Sequence, residues 1–179
     1  SRVLYRDPFV YLFLNSHSAL PVTVGAYNQS PASGPALLKL EPASGSIVYA
    51  THLFPLGGGS AFKVGVPDDS GNWYISAGLP ITWPFATPVT ANAFKSHITG
   101  PCEAYIIKVN NTGTGLLFAS YFGGSGDDSF GRCAGIGSDS VIVLGLSLSQ
   151  DFPITPGAYD STPGFEFTLT RFKLPNDPY

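Results

Sequence analysis

The feature that most constrains this chain is that its sequence repeats itself. When Ser1 is placed on Cys133, the segment Ser1–Tyr27 aligns with Cys133–Tyr159 without a gap. The end of this segment occurs a third time, because "TPVTANAF" at Thr87–Phe94 matches "LPVTVGAY" at Leu20–Tyr27 and "FPITPGAY" at Phe152–Tyr159. Three related copies in tandem predict a repeat architecture in which each unit is completed by its neighbours.

A lysine flanked by apolar residues marks the period of the repeat. It occurs as Lys39 in "ALLKLEP", as Lys108 in "YIIKVNN" and as Lys173 in "LTRFKLPND". The interval from the first lysine to the second is similar to the interval from the second to the third, and both are long for a propeller blade. A further landmark, "GSIVYATHL" or "TGLLFASYF", follows the first two lysines.

Each unit contains short runs with the composition of β-strands. In the middle copy there are four of them, Phe62–Val66, Trp73–Gly78, Ala104–Val109 and Gly115–Phe122, and "PDDSGN" between the first two has turn chemistry. Aromatic residues make up 13 % of the chain and charged residues 12 %, and there are 21 glycines and 16 prolines, a composition that favours an all-β fold. Four antiparallel strands repeated in tandem are typical of β-propeller blades.

The expected fold class is therefore all-β, a β-propeller segment of about three four-stranded antiparallel blades. We place the blades at residues 1–53, 54–122 and 123–179, and we expect the last one to be incomplete, since the chain stops before its outer strand. Three blades cannot close a ring alone and would expose two apolar sheet faces. We expect either a fragment of a longer propeller or copies that associate, and the ends, which cut through a repeat, favour the fragment.

The last copy carries the most specific pattern. Its sequence "YFGGSGDDSFGRCAGIGSDSVIVLGLSLSQDFPITPGAY" resembles the bacterial β-propeller repeat family called SBBP. The resemblance extends over essentially the whole chain and is looser in the first two copies, where the middle one has "FPLGGGSAF" and "ITWPFATP" at the corresponding places. It implies a propeller in an extracellular or cell-surface bacterial protein, in a family without an established activity.

The stretch "GGSGDD" at residues 123–128 lies between two blades and invites several interpretations. A phosphate-binding loop would require a following helix and usually a lysine, and neither is present in the sequence. Glycines permit positive φ where the chain turns between blades, and Asp127 and Asp128 are suited to accept backbone hydrogen bonds at that corner. A weaker alternative is calcium, which requires six to eight oxygen ligands where this loop offers two carboxylates and carbonyls.

The long connection between the second and third strands of a blade is expected at the same end of the sheets as that corner. Because related forms of "DFPITPGAY" occur in all three copies, we interpret this segment as structural, and the residues that differ between copies are more informative. Exposed aromatic rings beside polar groups can stack on sugars or bury into a protein partner, although Trp83 can instead cap the core. The candidate ligand-binding residues are Trp83, Phe85, His97, Glu103, Asp127, Asp128 and Asp151.

The two cysteines, Cys102 and Cys133, fall at the same end of neighbouring blades by the expected strand order. They form either a disulfide between blades, which closes a loop of about 30 residues, or two separate buried thiols. The three histidines, at positions 17, 52 and 97, have no metal-ligand spacing. We therefore predict no metal site apart from the calcium alternative at Asp127 and Asp128.

These observations favour a non-catalytic extracellular module for binding or scaffolding, whose ligand is a glycan or a surface protein. One alternative is a propeller enzyme that acts on polysaccharide with carboxylates such as Glu103, Asp127 or Asp128. Another is a purely structural unit whose partners are further blades in cis or a second copy in trans. The net charge of −3 without a basic patch argues against nucleic acid, and no apolar run approaches the roughly 20 residues of a membrane span.

Overall fold

The regular secondary structure of the described residues is β-strand, and turns and longer connections join the strands. The structure is a computed structural model that describes residues 2–16, 20–29, 34–53, 62–84, 86–162, 164 and 166–174. These residues contain no helix, and hence none of the length and apolarity that a membrane span requires, and the all-β prediction is confirmed. The strands are β1 (Arg2–Arg6), β2 (Phe9–Ser16), β3 (Gly34–Glu41), β4 (Ser46–His52), β5 (Phe62–Pro67), β6 (Trp73–Pro80), β7 (Cys102–Val109), β8 (Leu116–Phe122), β9 (Asp128–Ile136), β10 (Ser140–Ser147) and β11 (Glu166–Lys173).

The strands form three antiparallel sheets. The first sheet contains β1 to β4 and the second contains β5 to β8, each in chain order, while the third contains β9, β10 and β11 with β10 in the centre. The strands of each sheet fall within the segments 1–53, 54–122 and 123–179 that the repeat suggested. The identity of these sheets as propeller blades remains a prediction.

The second sheet is packed on both of its faces. Side chains alternate between the two faces of a strand, so that in β6 Trp73 and Ile75 face the first sheet whereas Tyr74 faces the third. The same alternation holds in β7, where Tyr105 belongs to one hydrophobic cluster and Ile106 to the other. A strand covered on both faces explains why β6 and β7 are buried along almost their whole length.

The cluster between the first and second sheets is centred on Trp73, whose side chain is fully buried. Its ring lies 5.7 Å from the ring of Tyr11 in an edge-on arrangement, which aromatic pairs prefer. A polar contact joins the same two sheets, since the guanidinium of Arg6 donates to the carbonyls of Pro67 and Asp68 in the turn before β6. The packing is therefore tied at one end by charge-assisted hydrogen bonds.

Phenylalanine rings make up much of the contact between the second and third sheets. The ring of Phe172 lies 4.8 Å from that of Phe122 and 5.7 Å from that of Phe130. Phe94, from the connection between β6 and β7, stacks on Phe172 at 5.3 Å. Each such pair contributes about 0.5–1.5 kcal/mol beyond the burial of its area, so this cluster anchors the third sheet.

The outward faces of the first and third sheets carry exposed apolar side chains. On the first sheet Val3 and Tyr5 are 66 % and 67 % exposed, and on the third Phe167 and Leu169 are 80 % and 73 % exposed. No described residue packs over Phe167 or Leu169. The described residues thus leave apolar side chains uncovered on the outward faces of the first and third sheets, whereas both faces of the second sheet are buried.

The two ends of the sheets differ in the connections that they carry. The long connections, β2 to β3, β6 to β7 and β10 to β11, and the corner between β8 and β9 lie at one end, which we call the loop end. The short hairpin turns that precede β2, β6 and β10 lie at the other, which we call the turn end. This confirms the expectation that the corner at residues 123–127 and the long connections share one end.

Candidate functional site

Strand register brings several of the candidate residues together at the loop end. Asp128 begins β9 and pairs with Ser147, the last residue of β10. Glu103 lies next to the start of β7 and pairs with Leu79 near the end of β6. The corner at residues 123–127 runs between these strand ends, so its backbone meets side chains from both the second and the third sheet.

Glu103 is fully buried and is held by one cation. Lys95 Nζ lies 2.8 Å from Oε1 and 2.7 Å from Oε2 of Glu103, and the backbone amide of Thr99 donates to Oε2 at 3.1 Å. Lys95 also donates to the carbonyls of Gly123 and Gly124, at 3.3 and 3.1 Å. The pair therefore links the long connection of the second sheet to the corner, and its charges offset each other out of water.

Asp128 is buried and accepts three hydrogen bonds. Its Oδ2 accepts from the amide of Gly124 at 2.7 Å and from the hydroxyl of Ser149 at 2.7 Å, while Oδ1 accepts from the hydroxyl of Ser147 at 2.5 Å. The hydrogen bond from Gly124 is the backbone contact that the structural interpretation predicted for this acid. Both oxygens of Asp128 are thus occupied by groups of the protein itself.

The other two acids of the prediction sit on the surface. The side chain of Asp127 is exposed, and its carbonyl accepts from the amide of Leu148 at 2.8 Å. Asp151 Oδ1 accepts from the amide and the hydroxyl of Ser125, at 2.7 and 3.0 Å. These hydrogen bonds stabilise the charged form and hold the pKa of the Asp151 carboxyl below its usual range.

Gly123 separates the two buried carboxylates. A Cβ placed on this residue would overlap Oδ2 of Asp128 and Oε1 of Glu103, and its φ of 148° is one that other residues rarely adopt. The corner therefore requires glycine at this position. Two carboxylates that meet here resemble a hydrolytic pair, but each is buried and hydrogen-bonded within the protein, which suits a structural role better than proton transfer to a substrate.

The donors around Asp128 also bear on calcium. N–H and O–H groups direct their hydrogens at both of its oxygens, which is the wrong polarity for a cation. Among the residues that the structure describes, no group of three or more His, Cys, Asp and Glu side chains could hold a metal. Asp128 is thus engaged by donors of the protein itself, and calcium at Asp127 and Asp128 stays a prediction.

The candidates Trp83 and His97 lie on the connection between β6 and β7. Trp83 is half-buried, packs on the cluster between the first and second sheets and contacts the ring of Phe62 at 6.1 Å, as expected for a residue that caps the core. His97 is exposed, with Nδ1 at 3.2 Å from the hydroxyl of Ser96. Phe85 lies outside the described residues.

The two cysteines are free thiols in the structure, so the disulfide alternative is not realised. Cys102 begins β7 at the loop end, opposite Pro80, whereas Cys133 lies well inside β9 and contacts the strand positions around Gly65 and Tyr74. Tyr74 and Pro80 are six residues apart on β6, a separation of about 20 Å along a strand. The placement of both cysteines at one end was therefore wrong, because β9 begins five residues before Cys133.

Sequence reasoning missed Lys95 and the two serines around Asp128. Lys95 follows "TANAF" at the position held by Asn28 in the first copy and by Asp160 in the third. That difference between copies was the available signal, because a lysine unique to one loop suggests a local acidic partner. Ser147 and Ser149 carry no comparable signal, because nothing in their spacing distinguishes them from the other serines.

The loop end also has a shallow cleft of about 370 Å³ between the first and second sheets. It is lined by residues from two long connections and the end of β4, namely Tyr27, Asn28, Leu53, Ala86, Thr87 and Pro88. Its volume is at the lower end of the range for small-ligand sites, and its walls are mostly apolar.

A scan of protein-family models and a search of curated protein sequences returned no match to this chain.

Proposed function

We propose that this chain is a non-catalytic extracellular binding and scaffolding module, built of propeller-type blades, that presents its loop end to a glycan. The observation that carries the proposal is that the two buried carboxylates at the loop end, Glu103 and Asp128, form their hydrogen bonds with groups of the protein itself. Glu103 is held by Lys95, and Asp128 by Gly124 and two serine hydroxyls. Acids used in this way make the loop end a rigid platform rather than a reactive centre.

The cleft beside Ala86 and Pro88 is the place on this platform that suits a ligand. Its size matches one or two sugar rings, and its mostly apolar wall can pack against the C–H face of a ring. The surrounding sheets are held by the Trp73 cluster, so a ligand would meet a preformed surface. Preformed surfaces lose less conformational entropy on binding, which supports affinity without chemistry.

The experiment compares binding with turnover. The immobilised chain is exposed to a panel of soluble neutral and acidic polysaccharides, and both the bound mass and the release of reducing ends are measured. We expect saturable binding to at least one polysaccharide with no release of reducing ends. Ala86→Trp fills the cleft and should abolish binding, whereas Ser96→Trp, exposed on the same connection, should leave it unchanged.

Two results would overturn the proposal. Release of reducing ends that disappears in Glu103→Gln would favour the polysaccharide-cleaving alternative. Equal binding by the Ala86→Trp variant and the original chain, or binding to none of the polysaccharides, would remove the cleft as a glycan site. A protein ligand from a cell surface would then be the remaining ligand class of the binding hypothesis.

The open faces of the first and third sheets support a second candidate, a structural unit covered by further sheets of the same kind. Phe167 and Leu169 occupy positions on β11 that no described residue covers, and large exposed apolar patches usually mark interaction sites. Sedimentation velocity tests this candidate. Self-association that Phe167→Ser with Leu169→Ser abolishes would support it, and a monomer at every concentration would contradict it.

A further inference from the structure

The long connections of the first two sheets do more than link strands, because each one holds the outer strand of its sheet. In the first sheet the amide of Thr23 donates to the carbonyl of Ala50 on β4 at 3.0 Å, and the amide of Ala50 donates to Thr23 Oγ1 at 3.2 Å. In the second sheet Thr90 makes the same two contacts with Ala119 on β8, at 3.0 and 3.1 Å. Each outer strand is thus held between the third strand and a threonine.

The next residue of the outer strand supplies a hydroxyl. Thr51 Oγ1 accepts from the amide of Asn28 at 3.1 Å, and Ser120 Oγ accepts from the amide of Phe94 at 2.8 Å. In both sheets this residue follows an alanine that is almost fully buried. The outer strands therefore share a recognition pattern, a buried alanine followed by serine or threonine, although their other residues differ.

The connection between β10 and β11 in the third sheet contains the same threonine turn. The amide of Ala158 donates to the carbonyl of Thr155 at 3.1 Å, as Ala26 does to Thr23 at 3.1 Å. Gly157 and Gly25 have φ values of 80° and 81°. The turn is therefore already in the conformation that it has in the first sheet.

No outer strand accompanies this turn among the described residues. β11 pairs with β10 alone in the described part of the chain, and Thr155 is exposed whereas Thr23 and Thr90 are half-buried. The hydrogen bond from Ala158 is the contact that the described residues make with the backbone of Thr155. Among the described residues, the edge of β11 away from β10 has no strand partner, and the Thr155 turn has no outer strand to hold. In the first two sheets the equivalent turn and third strand hold one strand between them.

We propose that the free edge of β11 and the Thr155 turn form an acceptor slot for an extended peptide strand in which an alanine is followed by serine or threonine. The strand would lie antiparallel to β11, as β4 does to β3 and β8 does to β7. Its occupant is a polypeptide segment of the β4 or β8 type. The proposal rests on the hydrogen bonds of the three connections and stands whether or not the loop end binds a glycan.

The recurring lysine fixes the register of the occupant. Ala50 pairs with Leu38 and Ala119 with Ile107, which are the residues before Lys39 and Lys108. The equivalent residue before Lys173 is Phe172, so the alanine of the bound strand lies opposite Phe172. The hydroxyl residue then lies opposite Arg171, as Thr51 lies opposite Leu37 and Ser120 opposite Ile106.

The test uses the full chain and a synthetic peptide with the sequence of residues 114–122, TGLLFASYF, extended by two lysines for solubility and labelled with a fluorophore. We expect saturable binding by fluorescence anisotropy. Replacing the peptide alanine by leucine should weaken binding about tenfold or more, because a larger side chain does not fit the buried site. Replacing its serine by valine should weaken binding about three- to tenfold through the lost hydrogen bond.

Two threonine variants of the protein test whether the peptide binds at the Thr155 turn. Thr155→Val removes the hydroxyl of the turn and should weaken binding about three- to tenfold, whereas Thr112→Val, an exposed threonine at the turn end, should have no effect. Hydrogen exchange provides an independent measurement. The bound peptide should slow exchange at Thr155 and in β11, with little change in β4 or β8.

Three results would overturn the slot. These are no peptide binding, equal binding of the alanine-to-leucine peptide, and protection from exchange that is confined to sheets other than the third. The result is separable from the glycan proposal, since peptide binding should be the same in the Ala86→Trp variant. If polysaccharide binding is absent but the peptide binds, the peptide slot is supported and the glycan cleft is not. If the peptide does not bind but the polysaccharide does, the glycan cleft is supported and the peptide slot is not.

Discussion

Lys108 and Asp68 form an ion pair with Nζ and Oδ2 3.7 Å apart, and neither side chain is exposed to solvent. Asp68 caps the turn before β6 by accepting from the amides of Ser70 and Asn72, each at 2.9 Å. Lys108 donates to the carbonyl of Ser138 in the corresponding turn of the third sheet at 3.2 Å. Burial lowers the pKa of the Lys108 ammonium, and the attraction of Asp68 opposes that effect. The pair therefore ties the turn ends of two sheets together.

Asp68→Ala should lower the free energy of unfolding by about 3–5 kcal/mol, because it removes the carboxylate of a buried ion pair and the acceptor of two turn amides. Urea denaturation followed by tryptophan fluorescence measures the loss. The neighbouring Asp69 is the matched control, since its side chain is 68 % exposed and pairs with Arg6 at the surface. Asp69→Ala should cost less than about 1 kcal/mol. Equal losses of unfolding free energy in both variants would show that the buried ion pair stabilises the fold no more than the surface pair does.

Gly123→Ala should destabilise the corner between the second and third sheets more than a positive φ alone explains. The added methyl group would displace the carboxylates of Glu103 and Asp128 from their donors, in addition to the backbone strain. We expect a loss of about 3 kcal/mol or more in the free energy of unfolding, against about 1–2 kcal/mol for strain by itself.

Gly137→Ala measures the cost of a positive φ at a site without crowding. Gly137 has a φ of 61°, and a Cβ placed there meets no atom within 4 Å. Thermal unfolding of the two variants in parallel gives the difference between them. If Gly137→Ala proves as costly as Gly123→Ala, the crowding by the two carboxylates is not what requires glycine at the corner.

Much of the fold follows from the repeat. The four strand runs predicted for the middle copy correspond to β5, β6, β7 and β8 within two residues at each end. Such runs are predictable because alternating apolar residues and glycine-rich turns are local signals. The corner at "GGSGDD" was likewise interpreted as structural from glycine and acid chemistry, and Asp128 accepts the expected backbone hydrogen bond.

The phase of the repeat could not be predicted from the alignment. Placing Ser1 on Cys133 equates Tyr11 with Val143, but Tyr11 faces the following sheet and Val143 faces the preceding one. The hairpin turns differ in length, with two residues between β1 and β2 and three between β9 and β10. A slip by an odd number of residues moves a side chain to the opposite face of a sheet. The partnership of Lys95 with Glu103 was missed for a related reason, since it depends on how a long loop folds back.

Phe172→Ala should cost about 3–5 kcal/mol of unfolding free energy, because its ring is buried and contacts the rings of Phe122, Phe130 and Phe94. Phe167 is on the same strand and is 80 % exposed, so Phe167→Ala should change stability by less than about 0.5 kcal/mol. Guanidinium titration of both variants tests which face of β11 joins the second sheet. A large loss in Phe167→Ala with none in Phe172→Ala would invert the orientation of the third sheet.

Cys133 should be unreactive in the folded protein. Its thiol is buried beside Tyr74, and burial raises its pKa to about 12. With Ellman's reagent at pH 8 and without reductant, we expect at most one thiol to react in the native chain, the half-buried Cys102, and both to react after unfolding in guanidinium. Cys102→Ser should abolish the native reaction, and Cys133→Ala should leave it unchanged. Absence of reactive thiols in the unfolded chain would instead establish a disulfide.

The same thiol gives stability a pH dependence of known sign. Below about pH 8.5 the thiol is protonated in both the folded and the unfolded chain, so it adds no slope. Above that pH the unfolded chain loses the proton while the folded chain keeps it, and the free energy of unfolding falls by up to about 1.4 kcal/mol per pH unit. Urea titrations between about pH 8.5 and 10 measure this slope, which is smaller in Cys133→Ala. An unchanged slope in that variant would mean that Cys133 ionises as readily in the folded chain as in the unfolded one.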